Sequence, residues 1–213
     1  MPTTTDTEPG RSDSAAGGAR RGRPGYDQET VLNIAVQVFN KHGYDATSMG
    51  TLAENLGISK SAIYHHVPSK GDLLRLALDH ALAPLEAVGD DERARTGSAG
   101  ERLEFFLRGT IRVLIERQSY VTLLLRLRGN TEVERSALER RRAMDRRLAE
   151  LVVAAQEEGS LRGDIDPRTT TRLLFGTINS LVEWYRPDGP VTAESLEENA
   201  IGMMLDGLHT RDK

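Results

Sequence analysis

At 213 residues the chain is long enough to bury a real core and too short for more than two small domains. Its composition, 38% apolar and 28% charged, is that of an ordinary soluble protein without a membrane span, and the lack of Cys excludes disulfides, thiolate nucleophiles and thiolate metal sites. The net charge of −4 is unevenly spread: residues 20–75 carry seven Lys/Arg against five Asp/Glu and residues 76–213 carry 20 against 24, so a mildly basic segment suited to phosphates joins an acidic body.

Residues 1–24 are rich in Thr, Ser, Gly and Ala with scattered charges, and are expected to form a disordered arm. They contain no apolar stretch of the secretory type, so a cytoplasmic location is expected. The arm ends in Arg20-Arg21-Gly22-Arg23-Pro24, whose Arg-Gly-Arg-Pro looks like an AT-hook core. Extended, it would set Arg21 and Arg23 in a narrow, electronegative minor groove; the other reading is solvated linker charge.

From Asp27 onward the pattern is helical. Val31, Ile34, Ala35, Val38 and Phe39 form one apolar stripe that ends before Gly43. A short helix is expected from Thr47 or Ser48 to Gly57, burying Met49, Leu52, Ala53 and Leu56, and a third from Ser59 to about Val67, where Pro68 breaks the chain. Ser69-Lys70-Gly71-Asp72 has the form of a capping box and opens a long helix through roughly Ala87. Gly89 to Gly100 reads as a flexible loop, followed by helices near 101–117, 119–128, 131–158, 167–185 and 193–208. No segment alternates as a strand does, so the fold class is all-α.

Residues 47–70, TSMGTLAENLGISKSAIYHHVPSK, carry the clearest chemistry. Two short helices joined through Leu56-Gly57-Ile58-Ser59 make a helix-turn-helix, with Gly supplying the positive φ of the turn. The small polar start of the second helix, Ser59, Lys60, Ser61 and Ala62, would let it enter a major groove about 12 Å wide. Ile63 and Val67 would face inward, Tyr64, His65 and His66 outward, and Lys70 would lie near a phosphate. The same pattern also suits a plain helical hairpin; clustered donors and the lack of acids between Glu54 and Asp72 favour DNA.

This stretch, with the helix before Gly43-Tyr44, resembles the TetR/AcrR family of bacterial transcriptional regulators over about residues 26–76. The resemblance implies phosphate contacts from Thr47, Ser48, Tyr64 and Lys70, and a recognition helix carrying Ser59, Lys60, Ser61, Ala62, His65 and His66. Gly50 departs from the pattern, since many members have a larger polar or basic residue there, and Val67 replaces the commoner Phe.

In the C-terminal part, Arg135, Arg140, Arg141, Arg142, Arg146 and Arg147 interleave with acids at helical spacing and read as a paired, solvated face. Phe105, Phe106, Leu123, Leu124, Leu127 and Phe175 either line a ligand pocket or are plain core. Leu173, Leu174, Ile178, Leu181 and Val182, and then Leu196, Ala200, Met203, Met204 and Leu208, mark two stripes. The family resemblance assigns these last two helices to a homodimer interface; burial in the protomer's own core is the alternative. The stretch EWYRPDGPVTAESLEE resembles a WYRP-x-GP segment of TetR-like regulators of lipid, sterol and aromatic-acid breakdown, which implies a bulky apolar effector such as an acyl-CoA. Trp184, Tyr185 and Arg186 could equally just close a helix.

The expected organisation is an arm (1–24), a three-helix helix-turn-helix DNA-binding domain (25–70) and a helical ligand-binding and dimerisation domain (71–213). The expected function is a ligand-responsive repressor that binds a palindromic double-stranded operator as a homodimer, with no cofactor, metal or membrane partner. A ligand-independent architectural DNA binder is the main rival, and activation in place of repression is a further alternative. No nucleophile elbow, phosphate loop or HExxH is present, and adjacent His65 and His66 would point about 100° apart on a helix, so no enzyme is expected.

Overall fold

The computed structural model describes residues 27–208. Over these the chain is all-helical: α1 (Gln28–His42), α2 (Met49–Leu56), α3 (Lys60–His66), α4 (Lys70–Asp90), a 3-10 turn (Glu92–Ala94), α5 (Ala99–Glu116), α6 (Gln118–Leu125), α7 (Glu132–Glu157), α8 (Pro167–Trp184) and α9 (Ala193–Asp206). Most helices begin where a short polar side chain satisfies an otherwise orphaned N–H. Asp27, Ser48, Ser59, Ser69, Asp166 and Thr192 each accept from the backbone three residues on. Ser98 with Glu101 and Thr131 with Glu134 form complete capping boxes. At Ser69 the box is altered: Asp72 takes the Ser69 hydroxyl at 2.6 Å while Ser69 caps the Asp72 N–H at 3.1 Å.

Helix α4 runs three residues beyond the expected Ala87, and the expected loop at 89–100 is largely structured. Gly89 does not stop the helix because its open side receives the ring of Phe106, 3.6 Å from where a Cβ would stand. Asp91 then caps the 3-10 turn and holds Arg93, whose guanidinium keeps the Asp91 carboxyl down at about 2. The chain reverses at Gly97, with φ of +91°, before the Ser98 cap.

Helices α1–α3 form a head around Phe39, Leu52 and Ile63, closed by Leu73 and Leu74 of α4. Helix α5 runs through the middle of the body and packs on α4, α7, α8 and α9; Leu103, Phe106, Leu107, Ile111 and Leu114 are buried. Its crossing with α4 is close, since a Cβ on Gly109 would lie 2.6 Å from Val88 Cγ1. Helix α4 therefore serves both head and body, and Pro84 interrupts it midway, leaving the carbonyl one turn back without its usual helical donor. Head and body also meet where α1 lies on α6. Tyr120 donates its hydroxyl to Asn33 at 2.5 Å and stacks on His80, Asn40 donates to the Ser119 carbonyl at 2.8 Å, and Arg126 donates to the Asn40 carbonyl at 2.7 Å.

The arginine-rich helix is paired, but not only within itself. Arg135 pairs with Glu132 and Arg147 with Glu150 on α7, whereas Arg140 reaches across to Asp79 at 2.5 Å and Glu86 at 2.7 Å on α4. Of the two apolar stripes, Leu174, Ile178, Leu181, Val182, Leu196, Ala200 and Met204 are buried in the protomer's own core. Leu173 and Met203 are left 61% and 67% exposed, on neighbouring faces of α8 and α9.

Candidate functional site

The turn between α2 and α3 is built on Gly57, in the left-handed region with φ of +65°, and on the Ile58 N–H donating to the Ala53 carbonyl at 3.2 Å. Ser59 then caps α3 by accepting from Ala62, and its hydroxyl contacts that of Ser61 at 2.9 Å. Ile63 and Val67 are buried and pin α3 to the head. Ser59, Lys60, Ser61, Tyr64 and His65 are exposed on its other side, and Ala62 and His66 are half-buried at its edges. These seven residues, small at the helix start and donor-bearing along its length, suit contact with base edges and phosphates.

Ser48 is exposed at the start of α2, where its hydroxyl accepts from Thr51 N at 3.0 Å. Thr47 differs from expectation. It is buried, and its hydroxyl donates to the Gly43 carbonyl at 2.7 Å, because the α1–α2 loop needs an internal donor. Lys70 is likewise turned to the loop: its ammonium donates to the carbonyls of Tyr44 at 3.0 Å and Thr47 at 2.9 Å and lies 4.2 Å from the centroid of the Tyr44 ring. Thr47 and Lys70 thus fix the loop that sets the start of α2, with the lysine keeping one free N–H for another partner. Arg21 and Arg23 lie outside the described residues.

In the body, α4–α8 enclose a pocket of about 40 Å³ lined by Leu82, Leu114, Leu124, Met144 and Phe175 among other apolar side chains. Of the expected lining residues, Leu124 and Phe175 are there. Leu123 and Leu127 face a separate crevice against the α1–α2 loop, since neighbours on α6 point in different directions. Phe106 is fully buried core beside Gly89, and Phe105 lies beneath the Arg93 guanidinium, 4.5 Å from it; neither lines the pocket.

The pocket's polar groups escaped the sequence reading. Arg141, Asp145 and Asn179 line it, and burial pushes the Asp145 carboxyl above its ordinary range against the opposing pull of Arg141 and Arg146. The signal was present: Arg141 and Asp145 share the i, i+3, i+4, i+7 register of Met144 and Leu148, an inward stripe that carries charge at two positions. The WYRP-x-GP stretch closes a helix. Tyr185 is buried at the end of α8, its carbonyl accepts from Gln118 at 3.0 Å, Arg186 turns back to the same carbonyl, and Trp184 is half-exposed. Among the described residues no group of side chains could hold a metal ion, and no helix is long and apolar enough to cross a membrane.

Residues 31–77 match the family described as "Bacterial regulatory proteins, tetR family", and residues 96–208 match "Tetracyclin repressor-like, C-terminal domain". The crystal structure of SCO3833, a TetR-family member from Streptomyces coelicolor A3, is 49% identical, covers 85% of this chain and 92% of its own, and has a TM-score of 0.80. The HTH-type transcriptional repressor KstR2 of Mycobacterium tuberculosis H37Rv is 27% identical over 185 residues, 84% of this chain and 90% of the relative. AibR, solved with isovaleryl coenzyme A and operator DNA, is similar in fold, with a TM-score of 0.69 at 24% identity over 84% of this chain and 97% of its own.

Proposed function

The chain belongs to the TetR family of bacterial regulatory proteins, and from that premise we propose that this DNA-binding transcriptional regulator is a homodimeric repressor, released from a palindromic operator by a small apolar effector. The observation that carries this reading is the division of α3 into a buried side, Ile63 with the following Val67, and an open side of Lys60, Ser61, Tyr64 and His65. Such a helix can enter a major groove without disturbing the head. We assign base-edge contacts to Ser59, Lys60, Ser61, Ala62, His65 and His66, backbone contacts to Ser48 and Tyr64, and minor-groove contact to Arg21 and Arg23. Lys70 contributes through its free N–H and through the loop it holds.

Residues 25–70 are then the DNA-binding unit and residues 71–213 the unit for effector and partner. Dimerisation through α8 and α9 presents two recognition helices, about one turn of DNA apart or slightly more, so a small change in their separation loses affinity. The effector must prefer the non-binding separation, because equal affinity for both would shift nothing. An acyl-CoA is the first candidate: a regulator of this fold, AibR, has been solved with one and with its operator.

The test is binding to the duplex upstream of the protein's own gene, across a salt series, against a scrambled duplex of equal length. A large preference for the natural sequence, lost on adding acyl-CoAs of increasing chain length, supports the reading. Equal and steeply salt-dependent binding to both, unaffected by any acyl-CoA, favours an architectural binder that relies on the arm.

A further inference from the structure

The body pocket is lined mainly by apolar side chains; its polar lining is Thr110, whose hydroxyl donates to the Phe106 carbonyl at 2.8 Å, with Arg141 and Asp145, one turn apart on α7, and Asn179 of α8. Among the described residues none of the last three side chains makes a hydrogen bond or an ion pair within 4 Å, although most other arginines of the body are paired in that way. Arg141 and Asp145 are near enough to feel each other's charge, yet they are not joined. A guanidinium, a carboxylate and an amide that are half-buried and bonded to no other side chain therefore border one largely apolar space, offering both donors and acceptors with formal charges that cancel.

From this juxtaposition we infer that the effector carries an uncharged polar end that both accepts and donates hydrogen bonds, a hydroxyl or an amide, held between Arg141, Asp145 and Asn179 with its apolar part among Leu82, Leu114 and Phe175. The inference rests on the effector-site reading above and adds the chemistry of the ligand's polar end. A free carboxylate would satisfy Arg141 but be brought against Asp145, and an ammonium would meet the reverse conflict; either mismatch in a partly desolvated site costs affinity. An amide end can come from a simple amide or from the pantetheine arm of a thioester ligand, and the two are separable by experiment.

The pocket's internal space, about 40 Å³, admits only a few water-sized groups. Any effector with an alkyl chain must part the helices that line it, α4 and α6 included. Both of these helices also pack against the head, so a ligand seated against these polar groups selects a wider body and with it a different setting of the heads.

The experiment uses the full-length protein and a matched eight-carbon series, octan-1-ol, octanamide, octanoate and octylammonium, with octanoyl-pantetheine as the thioester source, titrated by calorimetry. The expected result is binding of the alcohol or the amides at least about tenfold tighter than either ion. Octanamide and octanoyl-pantetheine compared directly decide between the two amide sources. The isosteric Asp145→Asn variant leaves Arg141 unopposed and is expected to gain about tenfold for octanoate; Arg141→Gln is expected to gain similarly for octylammonium. Preferential binding of an ion to the wild type, or preferences unchanged in both variants, overturns the inference and leaves an effector pocket standing. Binding of no member to the wild type or to either variant overturns both, and retained folding of the variants is checked by circular dichroism.

Discussion

Glu197 is buried between two guanidinium groups, accepting from Arg112 at 2.6 Å and from Arg108 at 3.1 Å across the α5–α9 contact. The Arg112 hydrogen bond, opposed by burial and helped by Arg108, holds its carboxyl below the ordinary 4.5. A depressed carboxyl contributes stability at neutral pH that is lost as pH falls through its folded value. Glu197→Gln is therefore expected to lower stability at pH 7 by roughly 1–3 kcal/mol, with the gap to wild type closing under acid; denaturant melts across pH 3–7 measure this. Asp145 has the opposite sign. Burial raises its carboxyl, so the ionised form costs stability once pH exceeds the unfolded value of 3.8, and Asp145→Asn should raise the melting temperature at pH 7 but not at pH 3. These single residues also mark where sequence reading stops. That Ser59 caps a helix follows from its place before an apolar register, but Thr47 and Lys70 are as polar as any surface residue, and only packing turns them toward loop carbonyls.

Between helices, the closest packing is that of α4 on α5. Alanine at position 109 would gain up to about 1 kcal/mol of helix propensity, but its methyl would stand 2.6 and 2.9 Å from the two Val88 methyl carbons. A β-branched side chain on a helix has little freedom to withdraw, so Gly109→Ala is expected to destabilise by about 1–3 kcal/mol in thermal or urea unfolding. Valine to alanine at position 88 in the same chain should restore part of the loss. Helix positions were largely legible because caps and apolar registers agree, as at Asp27 and at Ser98 with Glu101. The stretch 89–100 was not, because a glycine at which a neighbouring ring closes in looks, in sequence, like a glycine that ends a helix. The same limit applies to Arg141 and Asp145, which read as solvated charge until α8 lies across them.

At the scale of the whole molecule, the all-helical class and the third helix with its buried Ile63 could be read directly, whereas the destination of each apolar stripe could not. A leucine facing its own core and one facing a partner have the same period, and only the fold separates buried Leu174 from exposed Leu173. Leu173 and Met203, the most exposed of the large apolar side chains on α8 and α9, make a specific expectation about assembly. Leu173→Glu combined with Met203→Glu should give a folded monomer by sedimentation, with helical circular dichroism retained and operator affinity reduced by at least about a hundredfold through loss of one half-site. A dimer that survives both charges would move the interface elsewhere.

Trp184, at the end of α8, is 52% exposed and is the chain's one tryptophan. Leu173, Thr177, Ser180 and Trp184 recur at helical spacing along one side of α8, so the indole lies on the side that carries the exposed leucine. The protein accordingly contains its own optical gauge. Ultraviolet emission excited at the indole reports this single position apart from the exposed Tyr64, and in the proposed dimer, dilution that separates two copies is expected to shift it toward the red. With no native thiol to compete, a cysteine introduced in place of Lys60 would accept a second dye cleanly, and energy transfer from the indole would follow association and head movement in one cuvette.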